Sequence, residues 1–393
     1  MSYTNDFDLF VGGICGVFKG VKLGKSAFIA KNIQKLQSIS KDHEITSMSW
    51  GDDEEKEILI GCGSKQHRRL GFIFFVFFTI LIVNYINNII YLFIYLYSIK
   101  IYDTDCAAFT NSFVCNTGAG KINGISRYEN NLLTSVVSGH VTLWKSKEEN
   151  EILIEAGSNI ERMRHSIDNK NLIATGGKEN TLKIYNLENK KIVFEEKNVK
   201  NDWLEMRVPQ WTSDIGFFPQ TSMLATCSRY GYIRLYDPSA QRRPVINLEI
   251  KDQALTTLAI APQERQIIVG SGKGIMNLID LRKPGKVLNT YKDFVGGITA
   301  IHCTKNEVVS VGLDRYLRIH DLVTKKLQQK TFLTSKLKCL LVRRNFNFNE
   351  IKAEEDDNDK DGNDSGDDSL DEMMDESIDD IGHDPIDDLE KVY

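Results

Sequence analysis

The sequence predicts an all-β protein, a seven-bladed propeller whose ring is closed by strands from both ends of the chain, and three observations carry that reading. Six pentads share one grammar: IKIYD at Ile99 to Asp103, VTLWK at Val141 to Lys145, LKIYN at Leu182 to Asn186, IRLYD at Ile233 to Asp237, MNLID at Met276 to Asp280 and LRIHD at Leu317 to Asp321. An apolar residue alternating with a polar one, closing on a turn-former, suits a half-buried strand with its period of two. The pentads start 42, 41, 51, 43 and 41 residues apart. A repeat of about 40 to 45 residues is one four-stranded blade of the WD40 type. Finally, each end of the chain carries strand fragments that are incomplete alone and complementary together.

The elements follow in order. Phe10 to Val21 (FVGGICGVFKGV) and Ala27 to Lys31 read as the second, third and fourth strands of a blade that lacks its first. Ile45 to Trp50, Ile58 to Gly63 and Ile99 to Asp103 read as the first three strands of the next, with Ala107 to Val114 outside them. Five more blades centre on Ile122 to Ile154, Ile160 to Phe194, Ile215 to Leu248, Leu255 to Leu288 and Ile298 to Phe332. Lys336 to Val342 (KLKCLLV) then supplies the missing first strand, which removes both open sheet edges. The propeller is expected over 7–345 and a disordered acidic tail over 346–393.

The net charge of −5 averages two unlike regions. Residues 351–393 carry 19 Asp and Glu against three Lys, a net of −16, which leaves +11 on the other 350 residues. A basic body with an acidic tail fits work near nucleic acid or basic proteins; a solvated tail on an ordinary surface fits the charges equally. Seven cysteines without a CxxC pair read as reduced thiols of an intracellular protein, and nothing before Phe7 resembles a signal peptide, so secretion is not expected.

Leu70 to Ser98 is apolar enough to cross a bilayer and has a basic flank at His67, Arg68 and Arg69. It falls, however, between the second and third strands of one blade, and a span there would separate a pair of hydrogen-bonded neighbours. Removing His67 to Ser98 restores a turn like that in Ala174 to Ile184. The segment is rich in Phe, Ile, Tyr, Leu and Asn, residues encoded largely by A and T. Residues 67–98 are therefore read as an unspliced intron or gene-model artefact, otherwise as a helix.

Catalytic patterns are scarce. Val114 to Ile122 (VCNTGAGKI) lacks the first Gly and the final Ser or Thr of a phosphate loop, and Gly270 to Gly274 (GSGKG) sits where a tight turn needs glycine. The seven histidines form no HxH, HExxH or HxxxH pair, so no metal or cofactor is expected. No paired carboxylates or triad members suggest an enzyme. Asp314, three residues before a third strand, and Glu179 read as turn braces.

The one long step, 51 residues, places an excess of chain around Lys197 to Trp211, KNVKNDWLEMRVPQW, with two of the four Trp. Aromatic and Arg content in a connection is the composition of a binding hot spot; packing of Trp203 and Trp211 beneath a long loop is the alternative.

These strings carry a resemblance. GGKENTLKI at Gly176 to Ile184, the Lys197 to Trp211 segment, YDPSAQRRPV at Tyr236 to Val245, GLDRYLRIH at Gly312 to His320 and VGGICGVFKGVKL at Val11 to Leu23 resemble the WD repeat-containing protein 74 family of nucleolar large-subunit ribosome assembly factors. The resemblance covers roughly 7–345 except 67–98, and the acidic tail departs from the basic ends of animal members. It implies a non-catalytic scaffold of the nucleus and nucleolus that binds precursors of the large (60S) subunit, contacts assembly factors and rRNA, and is released by a AAA-type ATPase. Lys178, Asn180, Asn201, Asp202, Trp203, Arg207, Trp211, Arg242 and Arg243 are the contact positions it implies. One rim with the 197–211 and 239–244 loops would dock, while the tail would engage basic partners or the ATPase. A peptide-binding adaptor of another pathway and a membrane-anchored propeller are the alternatives; neither a membrane nor a small-molecule substrate is expected.

Overall fold

A computed structural model describes residues 6–24, 28–34, 43–66, 94–147, 149–201, 204–282 and 285–348. Its strands form seven four-stranded antiparallel sheets. The chain opens with β1 (Leu9–Gly13), β2 (Phe18–Leu23) and β3 (Phe28–Asn32). The next sheet is β4 (Ile45–Trp50), β5 (Glu57–Gln66), β6 (Ile94–Asp103) and β7 (Ala108–Cys115). It is followed by β8 (Ile122–Tyr128), β9 (Asn131–Val136), β10 (His140–Trp144) and β11 (Asn150–Glu155), then by β12 (Ile160–His165), β13 (Leu172–Gly177), β14 (Asn180–Asn186) and β15 (Lys191–Glu195). The remaining complete sheets are β16 (Thr212–Phe217), β17 (Leu224–Ser228), β18 (Tyr232–Tyr236) and β19 (Ile246–Glu249); β20 (Leu255–Ile260), β21 (Gln266–Ser271), β22 (Met276–Asp280) and β23 (Lys286–Tyr291); and β24 (Ile298–Cys303), β25 (Glu307–Gly312), β26 (Tyr316–Asp321) and β27 (Leu327–Phe332). Finally β28 (Leu337–Val342) returns to β1, in the order β28-β1-β2-β3.

The first strands of the sheets contact one another in a closed cycle, β4, β8, β12, β16, β20, β24, β28 and back to β4. Each sheet is thus a blade, and blades pack face to face. The period of two sends alternate residues of one strand into different interfaces: Val309 and Val311 of β25 pack toward β1 and β28, while Val308 packs toward β22 and β23. Among the described residues the buried apolar side chains fall into seven clusters, one for each pair of neighbouring blades, so the core is divided between blade interfaces and each pentad serves two.

Closure by the termini is well tied. Leu9 pairs with Val342 and Gly12 with Cys339. Lys19 is buried and donates to the Leu333 carbonyl at 2.6 Å, which joins the first blade to the last complete one. Phe10 meets Phe7, Phe18, Trp50 and Tyr102 with ring centroids 5.9 to 6.2 Å apart.

Two boundaries shift from those expected. The β5–β6 hairpin runs on past Gly61 and Ile99 through the pairs Cys62–Ser98 to Gln66–Ile94, so Ile94 to Ser98 belong to β6 rather than to an excursion. Antiparallel pairing satisfies the backbone there, and Tyr97 and Ser98 also pair with Cys115 and Val114 of β7. The helix expected for the apolar stretch concerns 67–93, outside the described residues; among those described, no helix is long and apolar enough to cross a membrane. At the other end, Phe346 and Phe348 are buried against Val309, Leu317 and Leu337, so propeller packing extends past 345. The acidic tail beyond 348 lies outside the described residues.

A candidate partner-docking surface on the long connection

The extra chain of the 51-residue step joins β15 to β16, the outer strand of one blade to the inner strand of the next. A connection this long keeps a shape only when its ends are held. Here Glu196, directly after β15, and Gln210, directly before Trp211, are both buried and joined by a 3.1 Å hydrogen bond from Gln210 Nε2 to Glu196 Oε1. The same carboxylate accepts from the Leu182 amide at 2.9 Å and from the Tyr236 hydroxyl. Burial pushes its pKa up, against the lowering effect of the Tyr236 and Leu182 hydrogen bonds. Within the connection, Asn198 Nδ2 donates to the Val208 carbonyl at 2.7 Å and Asn201 Nδ2 to the Glu205 carbonyl at 3.0 Å.

At its start the connection meets the 239–244 loop of the following blade. The Lys197 amide donates to the Arg242 carbonyl at 2.9 Å, Arg242 Nε to the Glu195 carbonyl at 2.8 Å, and Arg243 Nε to the Asn198 carbonyl at 3.2 Å. At its finish it meets the turn between β13 and β14. Lys178 and Trp211 form a β-bridge, Lys178 Nζ lies 4.7 Å from the centre of the Trp211 ring, and Tyr230 meets that ring edge-on at 6.0 Å. The indole Nε1 is buried without a hydrogen-bond partner. Arg242 and Arg243 are exposed, each guanidinium held through Nε by one backbone carbonyl, with the Glu195 carboxylate 3.7 Å from Arg242, which leaves further N–H groups for an anion. Leu204 and Met206 add exposed apolar surface to the connection itself.

The structure therefore sets Arg242 and Arg243 at the start of the connection and Lys178, Arg207 and Trp211 at its finish, with Asn201 bracing the loop from within. Asn180 departs from the expectation. It is 6% exposed, and its amide points to the carbonyls of Ala156, Gly157 and Ser158 at 2.9 to 3.1 Å, so it holds a neighbouring turn instead of facing a partner. Asp202 and Trp203 lie outside the described residues. Glu179 also differs: its backbone sits in the turn at φ 52°, but its side chain accepts from the Gln210 amide at 3.3 Å and lies 3.7 Å from Arg207, tying the connection to the blade. Asp314 does brace its turn, accepting from the Tyr316 and Val295 amides at 3.3 and 3.4 Å. Gly274, at φ 80°, closes the GSGKG turn between β21 and β22.

Glu196 and Gln210 escaped the sequence reading. One signal was available: counting from buried Phe194 along the strand period, Glu196 falls in the inward phase, where a carboxylate has to find partners.

No family model matches the chain. It is 31% identical over 362 residues to WD repeat-containing protein 74 of Bos taurus, covering 90% of this chain and 85% of that protein. The Homo sapiens protein of the same name matches at 31% with the same coverage. Ribosome biogenesis protein NSA1 of Meyerozyma guilliermondii is 28% identical over 223 residues, 48% of this chain and 56% of that protein. With the propeller complete and near full-length similarity on both sides, the chain belongs to the WD repeat-containing protein 74 family.

Proposed function

We propose that this chain is a non-catalytic scaffold in assembly of the large ribosomal subunit, docking on pre-ribosomal particles through the 197–211 connection and the 239–244 loop. The ribosome biogenesis named for its relatives supports the process. The joined loops support the location: Arg242 and Arg243 are tied to the start of the connection and Arg207, Trp211 and Lys178 stand at its finish, a set that suits phosphate or carboxylate partners and an aromatic anchor. Work in the nucleus and nucleolus and release by a AAA-type ATPase rest on the family resemblance. Triple charge reversal, R207E/R242E/R243E, tests the reading. Loss of the protein from pre-large-subunit fractions of a sucrose gradient, with an unchanged thermal midpoint, is expected; unaltered co-sedimentation overturns it.

The apolar insert plays no role in this docking, and we read 67–98 as an unspliced intron or gene-model artefact. Its removal leaves Gly61 opposite Ile99 as the last pair, closed by Cys62 to Gln66 as a turn. A mature transcript that retains the segment in frame overturns that reading.

A further inference from the structure

The seven first strands enclose a central channel of about 640 Å³, within the range of specific ligand sites, about 300 to 1,000 Å³. Its wall is unevenly charged. Arg162 and Arg164 project from β12, and both reach the fully buried Asp214 of β16, Arg164 with Nε and Nη2 each 3.0 Å from a separate carboxylate oxygen and Arg162 with Nε at 3.2 Å. Asp214 also accepts from the Leu258 amide and the Thr257 hydroxyl of β20, both at 3.2 Å, so three neighbouring strands fix it. On β28, Lys338 pairs with Glu44, which also holds Lys121 at 2.6 Å. Two carboxylates thus serve four cations. Asp168 is on the wall too, with its carboxylate on the Gln220 amide, and Lys305, exposed at one mouth, has no ion pair among the described residues. Arg344, at the same mouth, has Asp53 and Glu55 at 3.7 Å.

Anchoring by Asp214 makes the arginines rigid without consuming them. Arg164 is bound along one edge, its side chain is 44% exposed, and the channel is where that exposure lies. His302 of β24 is held near pKa 4 by burial and then by Arg164, so it adds a neutral ring rather than a charge. A surplus of cations inside a narrow protein-walled channel focuses the field on whatever enters.

We propose that the central channel is a recognition site for an acidic peptide segment, whose carboxylates seat on Arg162, Arg164 and Lys338 while its backbone lies along the half-buried aliphatic side chains of Ala259, Ala300 and Leu341. The aliphatic patches between the cations favour a peptide over a nucleic acid, which needs stacking faces. This site is separate from the docking loops and stands whether or not they bind the pre-ribosome.

The test uses the full-length protein and a fluorescein-labelled acidic peptide of about ten residues, about 33 Å when extended, read by fluorescence anisotropy. Saturable binding is expected, weakened about tenfold, or about 1.4 kcal/mol, by Arg164→Gln. Because Arg162 still reaches Asp214, that variant is expected to fold. Lys305→Glu, on an exposed side chain, is expected to weaken binding about threefold without shifting the thermal midpoint, and R242E/R243E to leave it unaltered. Affinity indifferent to both channel variants overturns the proposal. So does equal competition by inorganic phosphate, which would mark a plain anion site, or by oligouridylate, which would mark an RNA site.

Discussion

Glu179 and Asp314 occupy the same place in two blades, each in the turn from the second strand to the third, yet one serves its neighbour and the other its own blade. Asp314 faces inward and pairs at 2.6 Å with Arg318, whose side chain is 0% exposed and lies between the rings of Phe294 and Tyr316 at 4.6 and 5.2 Å. Glu179 is half exposed and reaches outward to the Gln210 amide and Arg207. The place in the repeat is the same, three residues before the pentad, but Glu179 itself sits at φ 52° whereas in the other turn Arg315 takes that conformation, at 70°, and the cation each carboxylate meets differs. A buried arginine makes its carboxylate indispensable, whereas an exposed one can be solvated by water.

Asp314→Ala sharpens that contrast most, since it strands Arg318 in the core. A loss of about 3 to 5 kcal/mol is expected, read by urea unfolding, with Asp314→Asn intermediate because it keeps the turn hydrogen bonds. A loss below about 1 kcal/mol, the scale of a surface pair, would remove the distinction between the two turns.

Acid gives the next largest effect. His320 is buried beside Arg318, stacked on Phe294 at 5.7 Å, and burial, then the Arg318 charge, push its pKa down to about 4. Between pH 6.5 and 4 the unfolded chain binds a proton that the native histidine refuses, so stability falls as pH falls through this window, by about 3 kcal/mol in full. Asp314 has the same sign at lower pH: burial opposes its ionisation, but Arg318 and the Tyr316 amide outweigh it and hold its pKa below the usual range. His302 is pushed down to about 4 as well and acts with the same sign, so His320→Leu is expected to reduce the decline above pH 4 by about half; a slope identical to that of the parent protein would show that His320 is not one of its sources.

Glu196, under the long connection, runs the other way. Burial raises its pKa, so its contribution is present below the ordinary carboxylate range and is lost as pH rises through the raised value. Glu196→Gln is expected to cost about 1 to 2 kcal/mol at acidic pH and to remove this dependence. Faster amide exchange in 197–210, with exchange elsewhere unchanged, would locate the effect at the clasp.

The difference between these sites also explains what the sequence could display. Strand period and repeat spacing are local properties, so Leu182 to Asn186 or Leu317 to Asp321 announced their strands, and the complementary ends announced the closing blade. The 51-residue step marked the connection whose ends Glu196 and Gln210 join. Partners were another matter: Glu196 meets Tyr236, 40 residues on, and Arg164 meets Asp214, 50 residues on, only because blades abut face to face. Asn180 looked like a loop residue until the neighbouring 156–158 turn came within reach of its amide.

Glu179→Ala should have the smallest effect on stability, about 0.5 kcal/mol or less, because the Arg207 pair is exposed and its 3.7 Å separation is long. Its consequence belongs to the proposed docking surface. Arg207 would keep its 3.4 Å contact with Gln210, and the turn would lose its side-chain tie to the connection but keep the Glu179 amide donating to the Gln210 carbonyl at 2.9 Å and the Lys178–Trp211 bridge. Thermal melting is therefore expected to stay within a degree or two of the parent, while co-sedimentation with pre-ribosomal particles weakens measurably. Were melting to fall as far as in Asp314→Ala, Glu179 would be a brace of its own blade after all, and the two turns would be alike.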